Sequence, residues 1–161
     1  ELYPENMSFG EDLVFVLNYL KHCNRISFTQ EPLYQHEVYN SVSLTHSFSP
    51  ARFSNLEDIQ KAILDFADDK NKINPRIYDK YVKDALHLTR MWYKNKNVPY
   101  IRKKEIIGEW LKQSYIRKLK ISDYQLHWKD RMLLHCLHMS CFIGINLIVN
   151  GKEYINSLSK E

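Results

Sequence analysis

The chain contains few of the residues that break helices or cross-link proteins. Its 161 residues include only 4 Gly and 5 Pro, which argues against a many-turned β fold and favours long helices. Its 3 Cys form no disulfide framework and no redox spacing, which indicates a reducing compartment. A membrane-spanning helix needs about 20 mostly apolar residues, whereas His135, His138 and Asn146 interrupt the most apolar stretch. That stretch therefore predicts a buried or interfacial helix.

The overall composition is typical of a folded globular chain. Hydrophobic residues make up 44% and charged residues 26% of the sequence, both ordinary fractions for such a chain. The 23 basic and 19 acidic residues leave a formal charge of +4, which suits anionic ligands or a membrane surface but identifies neither. Because the basic residues do not cluster on one helix and no recognition motif is present, we expect no nucleic-acid partner.

The first 48 residues predict a helix, a short strand and a loop, in that order. Ser8 and Glu11 have the spacing of a capping box, which predicts a helix that continues to about Lys21. Residues 26–34 predict an edge strand, because Pro32 cannot donate a backbone hydrogen bond, and the Ser-rich residues 34–50 predict a loop. The inward-facing strand residues are predicted to be Ile26, Phe28 and Leu33.

Residues 49–161 predict a helical domain, and the whole chain is therefore predicted to be mainly α, with a bundle of about four helices. Ser54 and Glu57 repeat the capping-box spacing, and Asn74-Pro75 is typical of a helix start. The last helix is predicted to begin at Ser122 or Asp123 and to end at Gly151. Four large side chains of these helices are expected in the core: Trp92, Trp110, Met132 and Met139.

An acidic pair opens the first predicted helix and could carry chemistry. Gly10-Glu11-Asp12 places two carboxylates in the first turn, where the positive end of the helix dipole keeps a carboxylate ionised. An ionised carboxylate within hydrogen-bond reach of a hydroxyl can act as a general base, and Gly10 permits close approach of a substrate. The structural alternative is that acidic residues here simply stabilise the helix end.

The order of this element and two later ones resembles a known enzyme family. Gly10-Glu11-Asp12, Leu33-Tyr34 and Ser43-Leu44-Thr45 follow one another as in the last part of the catalytic domain of family 2 glycosyltransferases, which have the GT-A fold. The similarity covers residues 7–46. It implies that residues 1–48 are the end of a catalytic domain (a short helix–strand–loop remnant) and that residues 49–161 are a helical extension. The chain would then be the carboxyl-terminal portion of a longer enzyme.

The resemblance also assigns roles to individual residues. Asp12 corresponds to the catalytic base, and Glu11 would support the site or contact the acceptor. The loop from Tyr34 to Thr45 would close over the donor diphosphate. In that loop His36 would contact a metal ion or phosphate, and Ser43 and Thr45 would donate hydrogen bonds to phosphate. An ordinary surface position for His36 and plain turn chemistry for Ser43 and Thr45 are the alternatives.

Activity, cofactor and partners follow from the same resemblance. The full-length enzyme would transfer a single sugar, with inversion, from a nucleotide-diphospho-sugar donor to a hydroxyl acceptor in polysaccharide or glycan synthesis, with Mn²⁺ or Mg²⁺ at the diphosphate. It would be cytoplasmic, at the inner face of the membrane, and could be a homo-oligomer or a peripheral membrane protein. The chain alone is expected to be inactive and to bind no metal tightly, because the upstream Asp-x-Asp motif and nucleotide-binding sheet of the family are not in its sequence.

The sequence departs from the family at two points. No Arg lies between Arg25 and Arg52, although many relatives carry one in the diphosphate loop, and the Gln-x-x-Arg-Trp motif of processive members does not occur. The other functional class is a stand-alone helical module that binds a protein or nucleic acid. A group of metal-ligand residue types in the most apolar helix is expected to pack in the core rather than bind zinc: His135, Cys136, His138 and Cys141.

Overall fold

A computed structural model shows a helical protein. The structure describes Pro4, Met7 and residues 9–31, 49–67 and 76–158, with side chains described as far as Gly151. The α-helices are α1 (Glu11–Leu20), α2 (Ala51–Phe66), α3 (Ile77–Lys94), α4 (Tyr100–Gln113), α5 (Trp128–His138) and α6 (Phe142–Leu158). Two short 3-10 helices, Tyr115–Lys118 and Ile121–Asp123, connect α4 to α5. The prediction of a mainly α chain is therefore confirmed.

The contacts between residues divide the chain into two compact units, residues 1–71 and 72–161. We call them the amino-terminal unit and the carboxyl-terminal unit. α2 therefore groups with α1 rather than with the later helices. The functional division at residue 48, which comes from the resemblance, stays a prediction.

In the amino-terminal unit α1 packs on α2 through a small apolar cluster. Val14 of α1 and Ile59 and Ala62 of α2 form its buried centre. Half-buried apolar residues surround it: Met7, Phe9, Leu13, Leu17 and Ile63. The spacing of Leu13, Val14 and Leu17 puts them on one side of a helix, so this burial explains why α1 docks by that side.

The carboxyl-terminal unit has a larger core that is built around α3. α3 contacts α4, α5 and α6, and α5 contacts α6. The spacing of Ile77, Tyr81, Ala85, Leu88 and Trp92 predicts one apolar side of this helix. All of them except the half-buried Ile77 are buried, which confirms the prediction. The partner helices contribute fully buried side chains, including Ile107, Leu111, Leu133, Leu134, Leu137 and Ile145.

Polar contacts join the helices of this unit in addition to the apolar core. The hydroxyls of Tyr81 and Ser114 are hydrogen-bonded at 2.7 Å. The buried Nζ of Lys103 donates to the carbonyl of Tyr93 at 2.7 Å, and burial lowers the pKa of this ammonium. Arg90 of α3 forms an ion pair with Asp130 of α5. These contacts satisfy buried polar groups and fix the register of neighbouring helices.

The predicted strand is wrong over the residues that the structure describes. Residues 25–29 have no regular secondary structure, and the expected inward residues Ile26 and Phe28 are 57% and 94% exposed. A strand needs a neighbour to pair its backbone groups, and no strand occurs in the described part of the chain. Pro32, Leu33 and most of the loop predicted to follow lie outside it.

Both predicted capping boxes are also wrong. α1 begins at Glu11 with Gly10 as its N-cap rather than Ser8, which is outside the described residues. α2 begins at Ala51 after Pro50, so Ser54 lies inside the helix, where its hydroxyl donates to the Ala51 carbonyl at 2.7 Å. Such a bond to the preceding turn is the usual arrangement of a Ser within a helix.

The last predicted helix is two helices, so residues 49–158 contain five described α-helices rather than about four. α5 ends at His138 and α6 begins at Phe142, with Ser140 between them at φ 51°. α5 starts at Trp128 with His127 as its N-cap, not at Ser122 or Asp123, and α6 continues past Gly151. Met132 and Met139 are 48% and 79% exposed, so the expectation that they are core residues is wrong, whereas Trp92 and Trp110 are buried.

Candidate functional site

The acidic pair lies at the start of α1, where one glycine sets how the chain enters the helix. Gly10 has φ 77° and ψ 12°, the left-handed region that disfavours residues with a side chain. A Cβ at this position would overlap Cδ1 of Ile59 and lie 2.9 Å from its Cγ1. Gly10 is therefore required by packing against α2, which is a different reason from the substrate approach expected from the sequence.

Asp12 and Glu11 occupy the first turn, as predicted, and differ in exposure. The Asp12 side chain is exposed, and its Oδ1 accepts a hydrogen bond from the Leu13 backbone N–H at 2.8 Å. Glu11 is half-buried. Asp12 thus satisfies one of the unpaired amide groups at the helix start and keeps an oxygen open to solvent, where it could accept a proton or a hydrogen bond.

The residues next to the acidic pair make the start of α1 rigid. The Arg52 guanidinium lies over the Phe9 ring, 5.1 Å from its centroid, a favourable cation–π distance. Phe9 also packs at the edge of the cluster that contains Val14 and Ile59. Contacts on both sides of Gly10 therefore hold the first turn, and a carboxylate fixed to rigid backbone is suited to positioning a reactant.

The other predicted site residues cannot be compared with this geometry. His36, Ser43 and Thr45 lie outside the described residues, so the diphosphate and metal roles implied for them stay predictions. The structure brings Glu11 and Asp12 together in one helical turn, which their adjacency in the sequence already required.

The described residues contain no candidate metal site. Across residues 9–31, 49–67 and 76–151, no group of three or more His, Cys, Asp or Glu side chains could hold a metal ion. His135, Cys136 and His138 lie on α5, while Cys141 follows the break after it. His135 is exposed and His138 half-buried, which differs from the expected packing of the whole group in the core.

The carboxyl-terminal unit contains a cleft that sequence reasoning missed. Its volume is about 450 Å³, within the range of small-molecule sites. The lining includes both signs of charge and comes from the start of α3 and from the segment after the second 3-10 helix: Arg76, Asp79, Lys83, Asp123, Tyr124 and Gln125. No local spacing could reveal it, because the two segments are far apart in the sequence and meet only in the fold.

Tyr124 lines this cleft as a buried phenol. The residue is only 5% exposed. Burial first, and then the negative charges of Asp123 and Asp79 with a contribution from Tyr78, raise the pKa of its phenol to about 12. The raised pKa means that the fold favours the protonated phenol over the phenolate.

Comparison with known proteins gives no relative. No family model, curated protein or solved structure matches this chain. Among the described helices none is long and apolar enough to cross a membrane. The observations that bear on function are therefore the geometry of α1 and the order of the motifs along the sequence.

Proposed function

We propose that this chain is the carboxyl-terminal portion of a family 2 glycosyltransferase. In this proposal the complete enzyme transfers a sugar from a nucleotide-diphospho-sugar to a hydroxyl acceptor. The observation that carries the proposal is the order of Gly10-Glu11-Asp12, Leu33-Tyr34 and Ser43-Leu44-Thr45 along the sequence. The exposed position of Asp12 in the first turn of α1 is compatible with it.

Asp12 acts as the general base in this proposal. The acceptor hydroxyl must lose its proton as its oxygen attacks the anomeric carbon, and a carboxylate within hydrogen-bond reach can take that proton. The nucleotide diphosphate leaves from the opposite face of the sugar, so the configuration inverts. The exposed oxygen of Asp12 is suited to this role, while its bond to the Leu13 amide orients the carboxylate. Glu11, which is half-buried, positions the turn or contacts the acceptor.

The leaving diphosphate needs positive charge or hydrogen-bond donors. We propose that His36, Ser43 and Thr45 contribute donors from this chain. A divalent cation, Mn²⁺ or Mg²⁺, would neutralise the diphosphate in the complete enzyme, with His36 as the candidate contact from this portion. Donor binding would depend mainly on the nucleotide-binding region that precedes the base in this family.

The test is the substitution Asp12→Asn in the complete enzyme. Asn keeps an oxygen that can accept the Leu13 N–H bond but cannot take a proton at neutral pH. We expect kcat to fall about 100- to 10,000-fold, the range for loss of a general base, with the donor KM little changed. Thermal unfolding monitored by circular dichroism should match that of the unsubstituted enzyme.

Asp58→Asn is the matched control, because Asp58 is an exposed carboxylate on α2 of the same unit. We expect it to leave kcat and KM unchanged. Turnover by the Asp12→Asn enzyme at the normal rate would remove Asp12 as the base. A second check uses this chain alone: calorimetric titration with nucleotide sugars and Mn²⁺ should show no micromolar binding.

The second candidate function is a helical interaction module, and one observation favours it. α6 exposes Ile143 and Leu147, which are 70% and 59% accessible and line a groove of about 300 Å³ with Tyr100 of α4. Exposed apolar residues grouped in this way are typical of protein contacts. The transfer assay distinguishes the two functions. If the chain is an interaction module, no glycosyl transfer should depend on Asp12.

A further inference from the structure

The break between α5 and α6 brings two cysteines together. The backbone N–H of Cys141 donates to the carbonyl of Cys136 at 2.7 Å, which bends the chain back over the last turn of α5. Ser140 has φ 51°, and its hydroxyl accepts a hydrogen bond from Nη2 of Arg117 at 2.7 Å. The bend is therefore held by contacts on both of its sides.

The two sulfur atoms converge on one glycine of α6. A Cβ added to Gly144 would lie 2.7 Å from Sγ of Cys136 and 3.1 Å from Sγ of Cys141. The first distance is shorter than real Cβ contacts and the second is tighter than most of them, so the two thiols occupy the space over Gly144. Two thiols in such proximity need little chain movement to reach the geometry of a disulfide.

The two cysteines differ in their surroundings. Cys141 is exposed, whereas Cys136 is half-buried. Burial first, and then the neighbouring Cys141, raise the pKa of the Cys136 thiol. Cys141 is thus the sulfur that a reagent in solution reaches first, and Cys136 remains a thiol beside it. That division of roles is the one found between an attacking and a resolving cysteine.

We propose that Cys136 and Cys141 form an oxidisable dithiol, a modification site at which a hydroperoxide closes an intramolecular disulfide across the α5–α6 break. In the first step the Cys141 thiolate attacks one oxygen of hydrogen peroxide and the O–O bond breaks. The hydroxide that leaves takes up the proton that the Cys141 thiol released, so a sulfenic acid and one molecule of water form. In the second step the Cys136 sulfur attacks Sγ of Cys141. The sulfenic hydroxyl leaves with the Cys136 proton as a second water, so two thiols are oxidised as one peroxide is reduced.

The test is oxidation of the reduced chain with an equimolar amount of hydrogen peroxide, followed by alkylation and mass spectrometry of peptides. We expect the peptides of Cys136 and Cys141 to be linked and jointly protected from alkylation. Cys23, whose thiol donates to the Tyr19 carbonyl at 3.6 Å, should stay alkylatable. Cys23→Ser is the matched control and should leave the rate of disulfide formation unchanged.

Three further variants test the assigned roles. Cys136→Ser should stop at a Cys141 sulfenic acid that dimedone traps, and Cys141→Ser should leave Cys136 reduced. Gly144→Ala should slow closure, because its Cβ displaces the sulfurs, while circular dichroism reports whether α6 persists. Linkage of two copies through Cys141, independent alkylation of both thiols after oxidation, or preferential oxidation of Cys23 would each overturn the proposal.

Discussion

The two units of this protein hold their helices by different means. In the amino-terminal unit α1 rests on α2 through a cluster with three buried residues and one tight glycine contact. In the carboxyl-terminal unit the core is larger, with many fully buried side chains and an ion pair between α3 and α5. The candidate base lies in the amino-terminal unit, whereas the larger apolar core, the cleft beside Tyr124 and the two neighbouring thiols lie in the carboxyl-terminal unit.

The largest effect should come from the core of the carboxyl-terminal unit. Leu134→Ala removes a side chain that is 0% exposed and should lower the free energy of unfolding by about 2–5 kcal/mol. The same substitution at half-buried Leu17 of α1 should cost roughly half as much, because fewer contacts are lost. Urea unfolding followed by tryptophan fluorescence reports the effect of Leu134→Ala, since Trp92, Trp110 and Trp128 all lie in the carboxyl-terminal unit.

Leu147→Ala is the control for this pair, because Leu147 is 59% exposed and its truncation should change stability by less than about 0.5 kcal/mol. Far-ultraviolet circular dichroism follows both units together and should detect the Leu17→Ala loss. If Leu17→Ala and Leu134→Ala lowered the free energy of unfolding equally, the two units would be equally well packed and the contrast between them would be wrong.

A smaller effect is expected at the glycine contact of the amino-terminal unit. Gly10→Ala places a side chain at positive φ, which costs about 1–3 kcal/mol, and forces its Cβ into Ile59. Ile59→Val removes the Cδ1 atom but keeps Cγ1, so in the double variant the overlap should be partly relieved while the backbone strain stays. Chemical unfolding followed by circular dichroism measures the free energy of unfolding of the single and the double variant.

The matched control is Gly151→Ala. An added Cβ at this helical glycine of α6 meets no atom within 4 Å, so the substitution should stabilise by roughly 0.5–1 kcal/mol. If both glycine substitutions changed stability by the same amount, the special role of Gly10 in docking α1 would have to be abandoned.

Sequence reasoning succeeded where structure depends on neighbouring residues. The stripe of α3 was predictable because burial of one helix face imposes a period of about 3.6 residues, and Tyr81, Ala85 and Trp92 are buried accordingly. The acidic first turn of α1 was predictable because acidic residues are favoured at the positive end of the helix dipole. The break between α5 and α6 at Ser140 was not predictable, because the apolar pattern of the sequence continues through it.

Features that depend on distant residues were not predictable. The N-cap of α1 is Gly10 rather than Ser8 because of the fit to Ile59 in another helix. The cleft beside Tyr124 and the meeting of two thiols over Gly144 likewise require the folded chain. The roles of His36, Ser43 and Thr45 stay predictions that follow from the resemblance alone.

The smallest effect should appear as a pH dependence of the carboxyl-terminal unit alone. The pKa of Tyr124 is raised from 10.0 to about 12, so folding favours its protonated form. A group with a raised folded pKa contributes stability that is complete below the unfolded pKa and is lost as pH rises through the folded one. The free energy of unfolding should therefore fall between pH 10 and about 12, measured by urea unfolding with tryptophan fluorescence.

Tyr124→Phe should make this alkaline decrease smaller without abolishing it, because burial also raises the pKa values of Tyr78 and Tyr93 in the same unit. Asp79→Asn should flatten it only partly, since burial is the largest cause of the raised pKa and the charge of Asp79 is a smaller one. Leu17→Ala should leave the slope unchanged, because its effect is confined to the amino-terminal unit. A decrease that persisted undiminished in the Tyr124→Phe protein would assign the alkaline sensitivity to other groups and remove this distinction between the units.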